Sequence, residues 1–265
     1  MITIGFNSNK GGNATSTSCA EIASALHELG YNILVVDGDS QLSISKNITH
    51  PDNLDAVLSH ANLYDVLKMT VATKDAIQKT PFFDLIVGSQ ALDKAEKEFT
   101  EIDDIYLLAD ALSFVKDEYD FVMIDSGPSK NFIQTSLLVA SDYIIMNCEA
   151  DASNYDALIT TENELAKLTN SRAHHSHAKV LGYIMPKFEP NTNIAKIIYA
   201  DIEAHKDERM AQTNENIFLM TVPKSVDMQE NKSLKTLSCK TAKSSKCARA
   251  YYDIANKIVE LTKGE

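Results

Sequence analysis

Positive charge is scarce in this chain of 265 residues: 25 Lys and Arg stand against 37 Asp and Glu, for a net charge of −12. Nucleic-acid affinity is therefore not expected of the surface as a whole, and any such binding needs a local basic patch. Cysteine is also sparse. Cys19, Cys148, Cys239 and Cys247 form no C-x-x-C pair and no even spacing, which argues against a disulfide framework or a thiolate metal site and for reduced thiols. No apolar run is long enough to span a bilayer, and no signal peptide precedes the first apolar segment, so a soluble, cytoplasmic protein with no membrane partner is expected. Internal repeats and low-complexity linkers are missing too, and residues 1–265 are expected to form a single domain.

What the chain does contain is an alternation of short apolar runs with helical patterns. Ile2–Phe6, Tyr31–Val36, Phe83–Gly88, Tyr119–Ser126, Tyr143–Met146, Val180–Met185 and Ile217–Val222 read as strands. Helical spacing follows the first of them through Cys19, Ile22, Ala23, Leu26 and Leu29, with Gly30 as the stop. Further helices are predicted around Leu63–Leu67, from Leu92 to Lys116, from Asn131 to Ala140, over 155–169, and at the end through Tyr251, Ile254, Ala255, Ile258 and Leu261. Continuous apolar strands buried on both faces and joined by helices imply an α/β fold, a doubly wound and mostly parallel sheet flanked by helices.

The chemistry gathers between the first strand and the first helix, at Ser8-Asn9-Lys10-Gly11-Gly12-Asn13-Ala14-Thr15-Ser16-Thr17. A tight loop feeding a helix N-terminus aims unpaired N–H groups and the positive end of the helix dipole at one point, a geometry that binds phosphate. The phosphate-loop pattern G-x-x-x-x-G-K-[ST] would place glycine at 14 and lysine at 15, where this chain has Ala14 and Thr15. The second strand ends in Asp37-Gly38-Asp39-Ser40-Gln41. Taken alone this is a turn; after a phosphate-type loop its carboxylates stand where a phosphate-bound metal would sit. The strand ending at Asp125-Ser126-Gly127-Pro128 has the form of a Walker B segment, whose carboxylate holds Mg²⁺ through water. His174-His175-Ser176-His177 has no acidic or cysteine ligand nearby and reads as a solvated loop.

Between Lys224 and Arg249 the charge balance reverses. Lys224, Lys232, Lys235, Lys240, Lys243, Lys246 and Arg249 face only Asp227 and Glu230, a local surplus of +5. The stretch is either a solvated basic loop and helix start or a patch for nucleic-acid phosphates without base readout.

Together these segments resemble the ParA/MinD family of deviant Walker-A ATPases, most closely the short ParA partition proteins. Lys10 to Thr17 occupies the place of K-G-G-x-G-K-[ST]-[ST], Asp37 to Gln41 that of D-x-D-P-Q, Tyr119 to Pro128 that of Y-D-[FY]-[IV]-[IV]-[IV]-D-[TS]-x-P, and Pro223-Lys224-Ser225 that of P-[KR]-S. The resemblance covers almost the whole chain and implies ATP or ADP with Mg²⁺ as ligands. It implies that Lys10 reaches the partner subunit's phosphates in an ATP-sandwiched homodimer. Gly11, Gly12, Asn13, Ala14, Thr15, Ser16 and Thr17 would form the phosphate loop, Ser16 with Asp37 and Asp125 the metal side, and Asp39 would position the attacking water. Pro186 and Pro223, each at a strand end, would lie near the adenine. The basic stretch from Lys224 to Arg249 would hold bulk DNA, and a ParB-like partner would stimulate hydrolysis, with the protein associated with the nucleoid.

Thr15 in place of lysine removes one charge-assisted phosphate contact, about ten- to a hundredfold in affinity, and more in rate because charge moves during hydrolysis. Three readings stay open: a ParA-like partition or positioning protein with slow hydrolysis, a pseudo-ATPase of the same fold that binds without turnover, and a protein–protein adaptor without nucleotide.

Overall fold

The computed structural model describes residues 1–7, 12–127, 132–170, 175–225 and 227–264. In chain order the elements are β1 (Ile2–Asn7), α1 (Thr15–Glu28), β2 (Ile33–Gly38), α2 (Ser43–Ile48), α3 (Pro51–Leu58), α4 (Leu63–Leu67), β3 (Ile77–Lys79), β4 (Asp84–Ile86), α5 (Ala95–Glu98), α6 (Leu107–Ser113) and β5 (Phe121–Ser126). Then follow α7 (Phe132–Ala140), β6 (Tyr143–Asn147), α8 (Ala152–Thr169), β7 (Lys179–Phe188), α9 (Asn193–Thr213), β8 (Phe218–Pro223), α10 (Asp227–Ser233), α11 (Ser238–Thr241) and α12 (Lys246–Lys263). The strands form one eight-stranded sheet in the order β3-β4-β2-β5-β1-β6-β7-β8, parallel throughout except for β3.

The central strands are apolar on both faces, as the uninterrupted runs require. In β2, Leu34 and Val36 join the core beneath α4, α6 and α7, while Ile33 and Val35 join the core beneath α1 and α12. β5 divides the same way, with Val122 and Ile124 on one side and Phe121 and Met123 on the other. The terminal helix α12 buries Tyr251, Ile254, Ala255 and Ile258 in the second core, the stripe its spacing predicts. All four cysteines are free thiols and buried.

Three expectations are corrected. The segment 92–116 is not one helix: 3₁₀ turns at Gln90–Lys94 and Ile102–Tyr106 flank α5, and α6 begins only at Leu107. Phe99 leaves the helical path to stack on Phe132 at 4.8 Å, and a capping box between Glu101 and Asp104 restarts the chain. Second, β7 does not stop at Pro186 but continues to Phe188. Third, the segment after the helical stretch is not simply a solvated loop: Ser176 is buried and donates its hydroxyl to the Leu138 carbonyl at 2.6 Å, and His175 Nδ1 lies 2.6 Å from the Tyr106 hydroxyl. His174 lies outside the described residues, as does Asn131, the expected start of α7.

Parallel strands place their carboxyl ends on one edge of the sheet, and the topology therefore brings the ends of β1, β2, β5, β6, β7 and β8 together.

Candidate functional site

β1 delivers the chain to the loop and α1 carries it away. Lys10 and Gly11, with Ser8 and Asn9, lie outside the described residues. From Gly12 on, the loop is defined. Gly12 takes φ +92°, and Ala14, directly before α1, takes φ 53° and ψ 26°. Left-handed backbone is free for glycine and costs an alanine about 1–2 kcal/mol, so the position where the family pattern has glycine keeps the conformation that favours it. Among the described residues no side chain caps α1, and no acidic residue occupies its first turn, so the start of α1 suits an anionic ligand. Thr15, Ser16 and Thr17 are half-buried there.

The loop is braced from behind by polar residues that close otherwise apolar strands. Asn147, the last residue of β6, donates Nδ2 to the Asn13 carbonyl at 3.1 Å and to Ser18 Oγ at 2.8 Å; Ser18 Oγ in turn lies 3.2 Å from the Tyr251 hydroxyl. Gln134 Nε2 donates to Asn7 Oδ1 at 3.1 Å. Sequence reasoning missed this layer. Its only signal was an asparagine ending each of two apolar runs.

Beside the loop stand the carboxylates. Asp37 and Asp125 are register partners on adjacent strands β2 and β5, and both are fully buried. Asp37 accepts from the backbone N–H and the hydroxyl of Ser45, at 2.8 and 2.6 Å. Burial nevertheless pushes its carboxyl up to about 6, with Asp39 adding to the rise. Asp125 is raised well above the carboxylate range by burial and by the charge of Asp37, offset in part by the facing Ser16 hydroxyl. Neither of its carboxylate oxygens has a partner at hydrogen-bonding geometry among the described residues. Asp39 is 7 % exposed and held by the Gln41 N–H at 2.9 Å and the Ser43 hydroxyl at 2.8 Å. A Cβ at Gly127 would stand 2.9 Å from Asp39 Oδ1, so this glycine lets the β5 end approach the β2 end.

Two buried, adjacent carboxylates, of which Asp125 lacks a hydrogen-bond partner among the described residues, with a hydroxyl facing them suit a hard divalent cation. Among the described residues no group of three or more His, Cys, Asp or Glu could hold a metal alone. That donor set fits Mg²⁺, which binds through one or two carboxylates, water and the oxygens of a bound phosphate.

A cavity of about 440 Å³ joins these parts. Gly12 to Thr17 line its polar end, with Asp39, Ser126 and Gly127 on the wall. Pro186, Val222, Pro223, Leu237 and Tyr251 supply apolar surface elsewhere in its lining. A ligand that carries both an anionic group and an apolar surface matches this mixed lining. Pro186 thus reaches the cavity from inside β7, not from its end, while Pro223 does end β8. A residue the sequence did not single out also lines it. Lys187 takes φ 53° and places Nζ 3.1 Å from the Gly12 carbonyl and 2.5 Å from Glu149 Oε1.

The basic stretch does not form one continuous face of free charge. Lys240 and Lys243 converge on Glu28 at the end of α1, with Nζ to carboxylate distances of 3.8 and 2.5 Å. Lys243 lowers the Glu28 carboxyl below its ordinary range. Lys224, which lines the cavity, pairs with Glu189 at 3.1 Å, and Lys235 donates to the Lys46 carbonyl at 3.0 Å. Lys246 and Arg249 are exposed on the first turn of α12, and the side chain of Lys232 lies outside the described residues.

Known proteins share this organisation. The profile of a family described as an AAA domain matches residues 1–175. The sporulation initiation inhibitor protein Soj of Bacillus subtilis is 23% identical over 265 residues, covering 96% of this chain and 97% of Soj. Among solved structures, a putative plasmid partition protein from Borrelia burgdorferi B31 bound to AMPPNP superposes with a TM-score of 0.77 at 20% identity, over 99% of this chain and 98% of that one. Cobyrinic acid a,c-diamide synthase from Mycobacterium smegmatis with bound ADP and magnesium gives 0.78 at 21% identity, over 100% and 97%. The two structural likenesses establish the fold alone, since one scaffold serves a partition protein and a synthase.

Proposed function

We propose that this chain, which belongs to the AAA-domain family in its ParA/MinD form, is a partition or positioning protein that binds ATP with Mg²⁺ at the loop and hydrolyses it slowly. The observation that supports this reading best is the cavity, whose lining brings the start of α1 and Asp39 together with Pro186 and Pro223, while the buried Asp37 and Asp125 lie at the ends of the adjacent strands β2 and β5. Ser16, Asp37 and Asp125 would hold the cation, whose chemistry there is to neutralise phosphate charge. Asp39, fixed by Gln41 and Ser43, stands on the cavity wall where it can orient a water. Lys10 precedes the loop glycines in sequence and is assigned the partner subunit's phosphates in a homodimer. Nucleoid association and a ParB-like stimulator belong to the same reading.

Binding without turnover, the pseudo-ATPase reading, is favoured by one observation: the position that carries the phosphate-loop lysine holds Thr15, a neutral side chain.

DNA binding is assigned to the exposed cations. Because Lys240 and Lys243 are already paired with Glu28, Lys246 and Arg249 are expected to contribute more. Retention on bulk duplex DNA, measured with ATP–Mg²⁺ over a salt series, should weaken on Lys246→Glu with Arg249→Glu. The slope of log affinity against log salt should fall by about 1 for each DNA phosphate that the variant no longer neutralises. Unchanged retention in that variant would remove α12 from the DNA surface.

A further inference from the structure

The geometry points to Lys187 as a second-source phosphate lysine: a cation delivered from β7 that supplies at the loop the charge Thr15 does not. The inference rests on nucleotide binding at this loop and deepens it.

Local structure explains how a lysine from the far side of the chain arrives there. Pro186 has no N–H to give the ladder, so pairing of β7 with β8 shifts register between Met185 and Phe188. Within that irregularity Lys187 takes a left-handed φ of 53°, a conformation that is unfavourable for a lysine and that turns its side chain out of the strand's alternation. The result is a contact across 175 residues of sequence, from Lys187 Nζ to the Gly12 carbonyl at 3.1 Å. Strained backbone that survives at a ligand cavity is a pointer to function.

The other partner of Lys187 explains how it can be available. Its ammonium also pairs with Glu149, two residues beyond β6, at 2.5 Å. Glu149 is one-quarter exposed and Lys187 about half, 26% and 53% of the side chain, so the pair is wet and weak. A triphosphate carries several negative charges and outcompetes one carboxylate for the same ammonium at the same place. Glu149 thus parks Lys187 at the loop, beside the Gly12 carbonyl, where rotation of its side chain can turn it toward a phosphate bound there. Lys224, which also lines the cavity, is paired with Glu189.

Isothermal titration with ATP–Mg²⁺ and with AMP on the full chain tests this, with the melting temperature of each unliganded variant as the folding control. Lys187→Gln should bind ATP–Mg²⁺ about ten- to a hundredfold more weakly, with a much smaller loss for AMP. Glu149→Gln should bind ATP–Mg²⁺ at least as tightly as the wild type, because the competing carboxylate is gone. A merely structural Lys187–Glu149 pair would weaken both variants alike. Wild-type affinity in Lys187→Gln, or equal weakening in the two variants, overturns the inference while leaving nucleotide binding intact. If the wild type itself takes up no ATP, the reading beneath it fails instead.

Discussion

Asp125→Asn is expected to stabilise the metal-free protein at pH 8 and to abolish the magnesium dependence of nucleotide binding. Asp37 and Asp125 sit opposite each other on neighbouring strands with no exposure, and both carboxyls are raised, chiefly by burial and further by neighbouring carboxylate charge. For an acid whose folded value lies above its unfolded one, the folded state holds the extra proton, so stability falls as pH rises between the two values. For Asp37 that window runs from about 4 to about 6, and for Asp125 it extends further upward. Melts in a chelator should therefore show the wild type losing stability between pH 5 and pH 8 and Asp125→Asn losing less. Magnesium should add to the stabilisation that ATP gives the wild type and add nothing to that of the variant. Equal pH profiles for the two proteins would mean that Asp125 binds its proton no more tightly in the folded state than in the unfolded one.

The second large effect concerns turnover. Ala14→Gly with Thr15→Lys should raise the rate of phosphate release by about 10²–10³. The lysine returns a fixed charge to the reacting phosphates, and the glycine relieves the left-handed strain at position 14. Ala14→Gly alone should raise stability by about 1 kcal/mol with little change in rate. Because Lys187 reaches the same loop from β7, the gain from Thr15→Lys should be larger in a Lys187→Gln background. If the double variant releases phosphate at the background rate, the missing lysine is not what limits the site.

The sheet was legible because seven of its strands fall in apolar runs, with Val35, Val122 and Ile145 typical of their buried residues. β3 was not, since Ile77-Gln78-Lys79 is short, half-exposed and paired antiparallel at the edge. The break at Phe99 was hidden because the apolar residues around it keep helical spacing while its ring is claimed by Phe132, thirty-three positions on. At the site, the Asp37 and Asp125 partnership follows from two strand ends and could be anticipated. The reach of Lys187 could not. A lysine after a proline has no motif, and only the register shift in β7 aims it at the loop.

The central claim is that the loop, the carboxylate pair and the apolar lining form one nucleotide site, and titration of the wild-type chain with ATP in the presence and absence of Mg²⁺ tests it most directly. The expected result is saturable binding that tightens with magnesium, accompanied at a hundredfold excess over Kd by about 2.7 kcal/mol of stabilisation. For a chain of this size that corresponds to a rise in Tm of roughly 5–10 °C. No heat and no change in Tm, with or without magnesium, would contradict it.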